Sequence, residues 1–130
     1  MGHGRGGCLW QVRTCRACWS FGPLPTLTGF ENHGGATSRR EGTAALGHVV
    51  VGVGNGAGDG SEGAVGGRIV GTYLHGPVLA RNPALADRLL SWALDDVSLA
   101  PLDDGESESL RQERLVAVGG KRRRRQRQRM

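Results

Sequence analysis

Apolar and polar positions along this chain predict several short strands. The β-branched run at residues 48–53 and the apolar run at 68–74 have the length and composition of strands, and residues 27–30 fit a shorter one. The glycine-rich stretch 54–63 lies between the two longer runs and favours a loop, because glycine permits turns and weakens regular elements. We therefore expect strands 48–53 and 68–74 to form a hairpin or to be near neighbours.

A helix is predicted to follow the last strand. Asn82 is expected to be its N-cap, and Pro83 stands at the first helical position, where a missing N–H costs nothing. Apolar residues then recur at helical spacing and define one face, formed by Leu85, Leu89, Trp92 and Ala93. A weaker apolar stripe predicts a second helix over residues 106–118.

Basic residues are concentrated at the ends of the chain. Seven of the 17 lysines and arginines lie in residues 121–129, and without that tail 10 basic residues stand against 12 acidic ones, a net charge of −2. A block of like charges without apolar residues favours a disordered, solvated tail. Clustered arginines also bind phosphates, but no aromatic residue is interleaved here to stack on bases. We therefore do not expect a nucleic-acid partner.

Targeting and redox features indicate a cytoplasmic protein. No stretch has the apolar length of a signal peptide or the roughly 20 apolar residues of a membrane helix. The chain has three cysteines, Cys8, Cys15 and Cys18. An odd number excludes a complete set of intramolecular disulfides. Together with His3 the cysteines would supply four zinc ligands, but the second paired motif typical of zinc sites is missing. We expect an arginine-rich leader and no metal site.

The glycine-rich loop contains a pattern that also occurs in dinucleotide-binding proteins. Residues 58–63 fit G-x-G-x-x-G, but that function requires a helix to begin at the third glycine. The residues that follow, Ala-Val-Gly-Gly, oppose a helix. Asp59 and Glu62 are too few oxygen ligands for calcium. We interpret this segment as a turn and expect no cofactor.

Four motifs, taken in order, identify a family. They are Leu-Thr-Gly-Phe-Glu-Asn-His-Gly-Gly at 27–35, a glycine-rich segment at 52–63, Gly-Thr-Tyr-Leu-His-Gly-Pro at 71–77 and Asn-Pro-Ala-Leu-Ala-Asp at 82–87. Together they resemble the C-terminal part of the GatD-like glutamine amidotransferase subunit of bacterial lipid II isoglutaminyl synthase. That subunit is related to the CobB/CobQ (cobyric acid synthase) type of class I glutamine amidotransferases. The resemblance covers residues 27–94.

The resemblance implies glutamine hydrolysis by a cysteine and a histidine. In such enzymes a cysteine thiolate attacks the side-chain carboxamide, and the histidine carries a proton to the leaving ammonia. His75 matches the catalytic histidine of the family, and Asn32 and Gly34 match the segment that binds the glutamine substrate. Many class I enzymes follow the histidine with Pro-Glu, whereas this chain has Gly-Pro-Val. Asp87 and Glu31 both stay open as the residue that orients the histidine.

The nucleophile has no match in the region of resemblance. In this family the cysteine lies upstream, on a strand-to-helix turn of the Cys-Gly-Gly type, and Cys8 is not followed by those glycines. We therefore expect a truncated or mis-started family member that is inactive as written.

The resemblance also predicts the fold and the division of the chain. It implies an α/β fold, the three-layer sandwich of class I amidotransferases, of which this chain would hold an incomplete C-terminal part. Residues 1–25 are expected to be an unrelated or disordered leader and 26–96 the C-terminal part of the amidotransferase domain. Residues 97–120 would be a weak helical extension and 121–130 a basic disordered tail.

The function implied by the resemblance is that of a glutaminase subunit in a heterodimer. Its ammonia would pass to a Mur-ligase-like partner (MurT), which uses ATP to amidate the D-glutamate of lipid II in peptidoglycan synthesis. Two alternatives stay open. One is an inactive fragment or pseudoenzyme that only docks on the ligase, and the other is a small basic-tailed protein that binds nucleic acid.

Overall fold

A computed structural model of the chain describes residues 9–14, 24–75 and 77–127, with side chains for 24–75 and 77–117. The elements in chain order are β1 (Leu9–Thr14), β2 (Leu27–Phe30), β3 (Gly47–Val51), β4 (Ser61–Glu62), β5 (Ala64–Gly66), β6 (Ile69–Gly71), α1 (Val78–Arg81), α2 (Pro83–Ala93) and α3 (Gly105–Arg127). Strands and helices pack on each other in the described part of the chain, which confirms the predicted α/β class.

The strands form two antiparallel sheets. Four of them are ordered β2-β1-β3-β4, with Val12 opposite Leu27 in one pair and Gly47 opposite Glu62 in another. β5 and β6 form a separate hairpin, whose turn contains Gly67 at φ +59°. A positive φ is accessible to glycine without a steric penalty, so this residue permits the tight turn.

Strands β3 and β6 are not paired with each other, so the hairpin predicted for residues 48–53 and 68–74 is wrong. β3 pairs with β1 and β4, whereas β6 pairs with β5. The cause lies in the glycine-rich stretch, which contains β4 and directly precedes β5. Its left-handed glycines let the chain turn between consecutive short strands. A composition dominated by glycine concealed both strands.

Part of the predicted leader belongs to the sheet. Residues 9–14 form β1, which lies between β2 and β3 and pairs with both. The sequence of β1, Leu-Trp-Gln-Val-Arg-Thr, includes types that favour strands, but the arginines and glycines around it obscured that signal. The rest of the segment 1–23, including its cysteines, lies outside the described residues.

The last helix is longer than its apolar pattern predicts. α3 begins at Gly105 and continues to Arg127, so it extends through most of the predicted basic tail. Arginine and glutamine have high helix propensity, and a helix can therefore continue where the apolar stripe ends. The remaining boundaries between the predicted regions stay predictions.

One apolar core joins the two sheets to α2. It consists of buried side chains from strands, connections and helix: Leu27, Leu46, Val65, Leu74, Leu85 and Trp92. The predicted apolar face of the helix is confirmed at Leu85 and Trp92, and Leu89 packs against the core while partly buried. Ala93 is exposed, so the face of α2 that contacts the core is narrower than the sequence pattern predicted.

Asn82 connects the start of α2 to the edge of the sheet. α2 begins at Pro83 as predicted, but the Asn82 side chain does not cap the helix. Its Oδ1 accepts from the Thr28 N–H and its Nδ2 donates to the Thr28 carbonyl, each over 2.8 Å. Nδ2 also donates to the Val78 carbonyl over 2.6 Å. The buried amide therefore pairs with β2 as a neighbouring strand would.

Replacing Asn82 with alanine is expected to lower the free energy of unfolding by about 2–4 kcal/mol, because the Thr28 N–H and carbonyl would be buried without partners. Asn82→Asp keeps the acceptor but places a buried carboxylate oxygen against the Thr28 and Val78 carbonyls, so its loss should be at least as large. Urea unfolding of the full chain measures both variants. Asp87→Ala, at an exposed position on the same helix, is the control. Equal losses in Asn82→Ala and the control would show that the amide does not stabilise this edge.

Candidate active site

The motif that contains His75 meets the motif that contains Asn32 at the end of β2. The His75 N–H donates to the Phe30 carbonyl over 2.8 Å, so residue 75 pairs with the last residue of the strand. The His75 imidazole stacks on the Phe30 ring, with 5.7 Å between ring centroids. Asn32 and Gly34 follow Phe30 directly in the chain. The structure therefore brings the three predicted site residues to one end of β2.

Asn32 and Gly34 are open to solvent. Both residues are exposed, and a Cβ added to Gly34 would meet no atom within 4 Å. Packing within the described residues therefore does not explain a glycine at position 34. The role of these two residues in substrate binding stays a prediction.

Glu31 connects the end of β2 to the glycine-rich loop. Its carboxylate accepts hydrogen bonds from the Gly54 N–H over 2.9 Å and the Val53 N–H over 3.3 Å. The side chain is only 3% exposed, and its Oε2 lies 3.9 Å from His33 Nε2. Gly54 has φ +64°, and a Cβ there would lie 2.2 Å from the Ser61 carbonyl oxygen, so only glycine fits this turn. The loop thus holds Glu31 against His33.

Neither open candidate for the orienting residue forms a hydrogen bond or ion pair with His75 in the described part of the chain. Glu31 contacts the loop and faces His33. Asp87 is exposed on α2 and lines a cavity of about 170 Å³ whose lining does not include His75. The residue that orients His75 stays unassigned.

His33 and Tyr73 form a stacked pair between the two motifs. Their ring centroids are 3.7 Å apart, and their planes are inclined by 14°. The Tyr73 hydroxyl and Thr37 Oγ1 form a hydrogen bond of 2.6 Å, and His33 Nδ1 lies 2.9 Å from the Gly35 carbonyl. A carbonyl only accepts, so Nδ1 carries the proton and donates it. Sequence reasoning missed Tyr73, because an aromatic residue in an apolar run is usually part of a core.

Glu62 is a buried carboxyl group in the same region. It is 0% exposed, and its Oε1 accepts from the Thr72 hydroxyl over 2.6 Å and from the Tyr73 N–H over 2.8 Å. Burial raises the pKa of Glu62, and the negative charge of Glu31 raises it further. The two hydrogen bonds and the charge of His33 oppose that rise. The sequence drew attention to Glu62 only as one of two oxygen ligands that are too few for calcium, since no local pattern reveals a buried glutamate.

Asn55 organises the glycine-rich loop from inside. Its Nδ2 donates to Ser61 Oγ over 3.1 Å and to the Gly63 carbonyl over 3.0 Å, and its Oδ1 accepts from the Gly63 N–H over 2.8 Å. β5 begins directly after Gly63, so the G-x-G-x-x-G pattern leads into a strand. The predicted turn is found at residues 58–60 only, because Ser61–Glu62 form β4. A cavity of about 200 Å³ adjoins it, and its lining includes Asn55, Gly63, Thr72 and Tyr73.

The four possible zinc ligands are all outside the described residues. Within residues 24–75 and 77–117, no group of three or more His, Cys, Asp or Glu side chains is placed to hold a metal ion. His3, Cys8, Cys15 and Cys18 lie outside the described residues, so the zinc hypothesis and the role of Cys8 are untested. None of the described helices is both long enough and apolar enough to cross a membrane.

Comparison with known families assigns the fold and the motifs to one class of protein. The model of the CobB/CobQ-like glutamine amidotransferase domain matches residues 12–83, more than half of the chain. The chain therefore belongs to the CobB/CobQ-like glutamine amidotransferase family, as its motifs predict. The matched region begins inside β1, in agreement with the place of that strand in the sheet.

Two curated relatives narrow the resemblance. The chain is 49% identical over 70 residues to the lipid II isoglutaminyl synthase (glutamine-hydrolyzing) subunit GatD of Staphylococcus aureus (strain N315). These aligned residues are 54% of this chain and 28% of that protein. It is 39% identical over 93 residues to the subunit of the same name from Streptococcus pneumoniae (strain ATCC BAA-255 / R6). That alignment covers 68% of this chain and 36% of the relative. The resemblance to GatD subunits is confirmed. The chain spans about a third of the length of these relatives.

Glu62→Gln is expected to gain stability relative to the unmodified chain as the pH rises. Below the ordinary pKa of 4.5, Glu62 is neutral in both the folded and the unfolded chain. Because its pKa is raised in the folded state, the unfolded state loses the proton first, and stability falls as the pH rises through the raised pKa. Glutamine cannot ionise and avoids this loss. Urea unfolding from pH 4 to 8 measures the difference.

The exposed Glu41→Gln is the control for this measurement and should show no such trend. A difference between Glu62→Gln and the unmodified chain that stays constant across the pH range would contradict a raised pKa at Glu62.

Proposed function

We propose that this chain belongs to the glutamine-hydrolysing subunit of a lipid II isoglutaminyl synthase. The subunit releases ammonia from glutamine and passes it to a Mur-ligase-like partner (MurT). The partner uses ATP to amidate the D-glutamate of lipid II during peptidoglycan synthesis. The observation that carries the proposal is the meeting of His75 and the Glu-Asn-His-Gly segment at the end of β2. It is supported by identities of 49% over 70 residues and 39% over 93 residues to two GatD subunits.

His75 is proposed as the catalytic histidine. Its backbone is held by the pairing with Phe30, while its side chain is exposed at the strand end. An imidazole can act as both base and acid at neutral pH. It removes the proton from a cysteine thiol, the thiolate attacks the carboxamide carbon of glutamine, and the imidazolium returns the proton to the departing ammonia. Water then releases glutamate from the thioester. The cysteine lies outside the described residues.

Asn32 and Gly34 are proposed to bind the α-amino and carboxylate groups of glutamine. Their exposure beside His75 and the open space at Gly34 support this role. His33 lies between Asn32 and Gly34 in the chain, so its stacking on Tyr73 keeps both residues in place. A small residue at 34 leaves its backbone N–H accessible to a carboxylate.

Ammonia release from glutamine tests the catalytic role of His75. The full chain is assayed with and without the Mur-ligase-like partner, and ammonia release by the unmodified chain would overturn the expectation that it is inactive as written. His75→Ala is expected to lower kcat by at least about 10²-fold, the usual contribution of a positioned acid or base. His48→Ala, which removes an exposed histidine from β3, is the matched control and should keep full activity. Unchanged activity in His75→Ala would refute the assignment. Binding to the partner without ammonia release would favour the docking alternative.

Steady-state kinetics test the binding role of Asn32. Asn32→Ala is expected to raise KM for glutamine by about 10-fold, because a lost hydrogen bond to a charged group costs about 1.5–3 kcal/mol. Ser38→Ala, a truncation at an exposed position of the following loop, should leave KM unchanged. If Asn32→Ala lowers kcat at unchanged KM, the residue does not contribute to substrate binding in the ground state.

A further inference from the structure

Residues 72–75 connect β6 to the candidate active site without belonging to a regular strand. Their backbone N–H groups are paired in an irregular way. The Tyr73 N–H donates to Glu62 Oε1 over 2.8 Å, the Leu74 N–H to Thr72 Oγ1 over 3.0 Å and the His75 N–H to the Phe30 carbonyl over 2.8 Å. The Thr72 hydroxyl in turn donates to Glu62 Oε1 over 2.6 Å. Two of these three N–H groups thus depend on Glu62, directly or through Thr72.

Glu62 is itself held in one place. It lies on β4, opposite Gly47 of β3, and is fully buried. The next residue, Gly63, approaches the Gly71 carbonyl so closely that a Cβ would lie 2.5 Å from its oxygen. This close approach fixes the distance between β4 and the end of β6. The carboxyl group of Glu62 is therefore a rigid acceptor for residues 72 and 73.

The Glu62 carboxyl group is also linked to the motif at residues 27–35. Tyr73, whose N–H it accepts, stacks on His33 at 3.7 Å and hydrogen bonds to Thr37. A change in the direction of Tyr73 would therefore move both His75, two residues on, and the ring that packs against His33. Both halves of the candidate site are therefore linked to Glu62.

We propose that Glu62 is a positioning residue of the active site, which orients His75 through Thr72 and Tyr73 and orients the Asn32–Gly34 segment through the stack of Tyr73 on His33. This inference rests on the proposed function for the role of His75. Glu62 does not touch the substrate in this proposal. It acts by fixing the backbone of residues 72–75.

The second oxygen of Glu62 shows which substitutions preserve this role. Oε2 is buried and has no hydrogen-bond partner among the described residues. A proton on Oε2 would leave Oε1 free to accept, which agrees with the upward shift of the Glu62 pKa by burial. The titratable groups nearby are Glu31 and His33 after β2, Tyr73 after β6 and His48 on β3. Glutamine keeps the shape and the acceptor, so Glu62→Gln should preserve the positioning and Glu62→Ala should not.

Amide hydrogen exchange and histidine resonances, measured by NMR on the full chain, test the proposal without turnover. Glu62→Ala is expected to lower protection of the Tyr73 and Leu74 amides by at least 10-fold and to shift the His33 and His75 imidazole signals. Protection in the β1–β2 pair should remain. Glu62→Gln should resemble the unmodified chain, as should the exposed control Glu41→Ala.

Thr72→Val is a milder variant, for use if Glu62→Ala does not fold. It removes the hydroxyl that links Leu74 to Glu62, so it is expected to lower protection at Leu74 and to leave the direct bond to Tyr73. Unchanged protection and unchanged histidine signals in both Thr72→Val and Glu62→Ala would overturn the proposal. Disruption by Glu62→Gln equal to that by Glu62→Ala would do so as well.

Glutaminase kinetics then separate this inference from the proposed function. With the partner present, Glu62→Ala is expected to lower kcat by at least 10-fold at nearly constant KM, with recovery in Glu62→Gln. Normal kcat in Glu62→Ala, beside a large loss in His75→Ala, would overturn the positioning role alone. An unmodified chain that releases no ammonia under any condition would count against the proposed function, while the NMR result would still decide the structural role of Glu62.

Discussion

The backbone N–H and carbonyl groups on the outer edge of β2 need hydrogen-bond partners. The contacts that satisfy them also position the candidate site. Thr28 pairs with the side-chain amide of Asn82, and Phe30 pairs with the backbone of His75. Unpaired edge groups that are buried cost free energy, so this edge needs both contacts. As a result the start of α2 and the histidine are attached to the same strand, and the segment after Phe30 lies beside them.

Two buried acidic side chains join this edge to the glycine-rich loop and the strands behind it. Glu31 accepts from the N–H groups of Val53 and Gly54, and Glu62 accepts from Thr72 and Tyr73. Each carboxylate replaces backbone pairing where the chain is too irregular for a strand ladder. The glycines of the loop permit this irregular backbone, and the carboxylates of Glu31 and Glu62 hold it in one conformation. The loop is therefore part of the site's support, although it holds no phosphate-binding helix.

Local patterns predicted some elements well and others not at all. The helix at Pro83 and the strand at Leu27 were visible, because their start signals and apolar residues lie close together in the chain. β1, β4 and β5 were missed, since strands of two to six residues among glycines and arginines carry too little pattern. The pairing of β3 was wrong for the same reason, because its true partners were the strands that went unrecognised.

The sequence by itself determined the family, the candidate residues His75, Asn32 and Gly34, and the place where α2 begins. Motif order and short-range signals are sufficient for these, and a motif is a property of the chain alone. Only the tertiary structure decided that Asn82 pairs with Thr28, 54 positions away, instead of capping its helix. It also decided that Glu62 is buried against Tyr73. Burial and hydrogen-bond partners depend on which distant segments come together, and no local pattern contains that information.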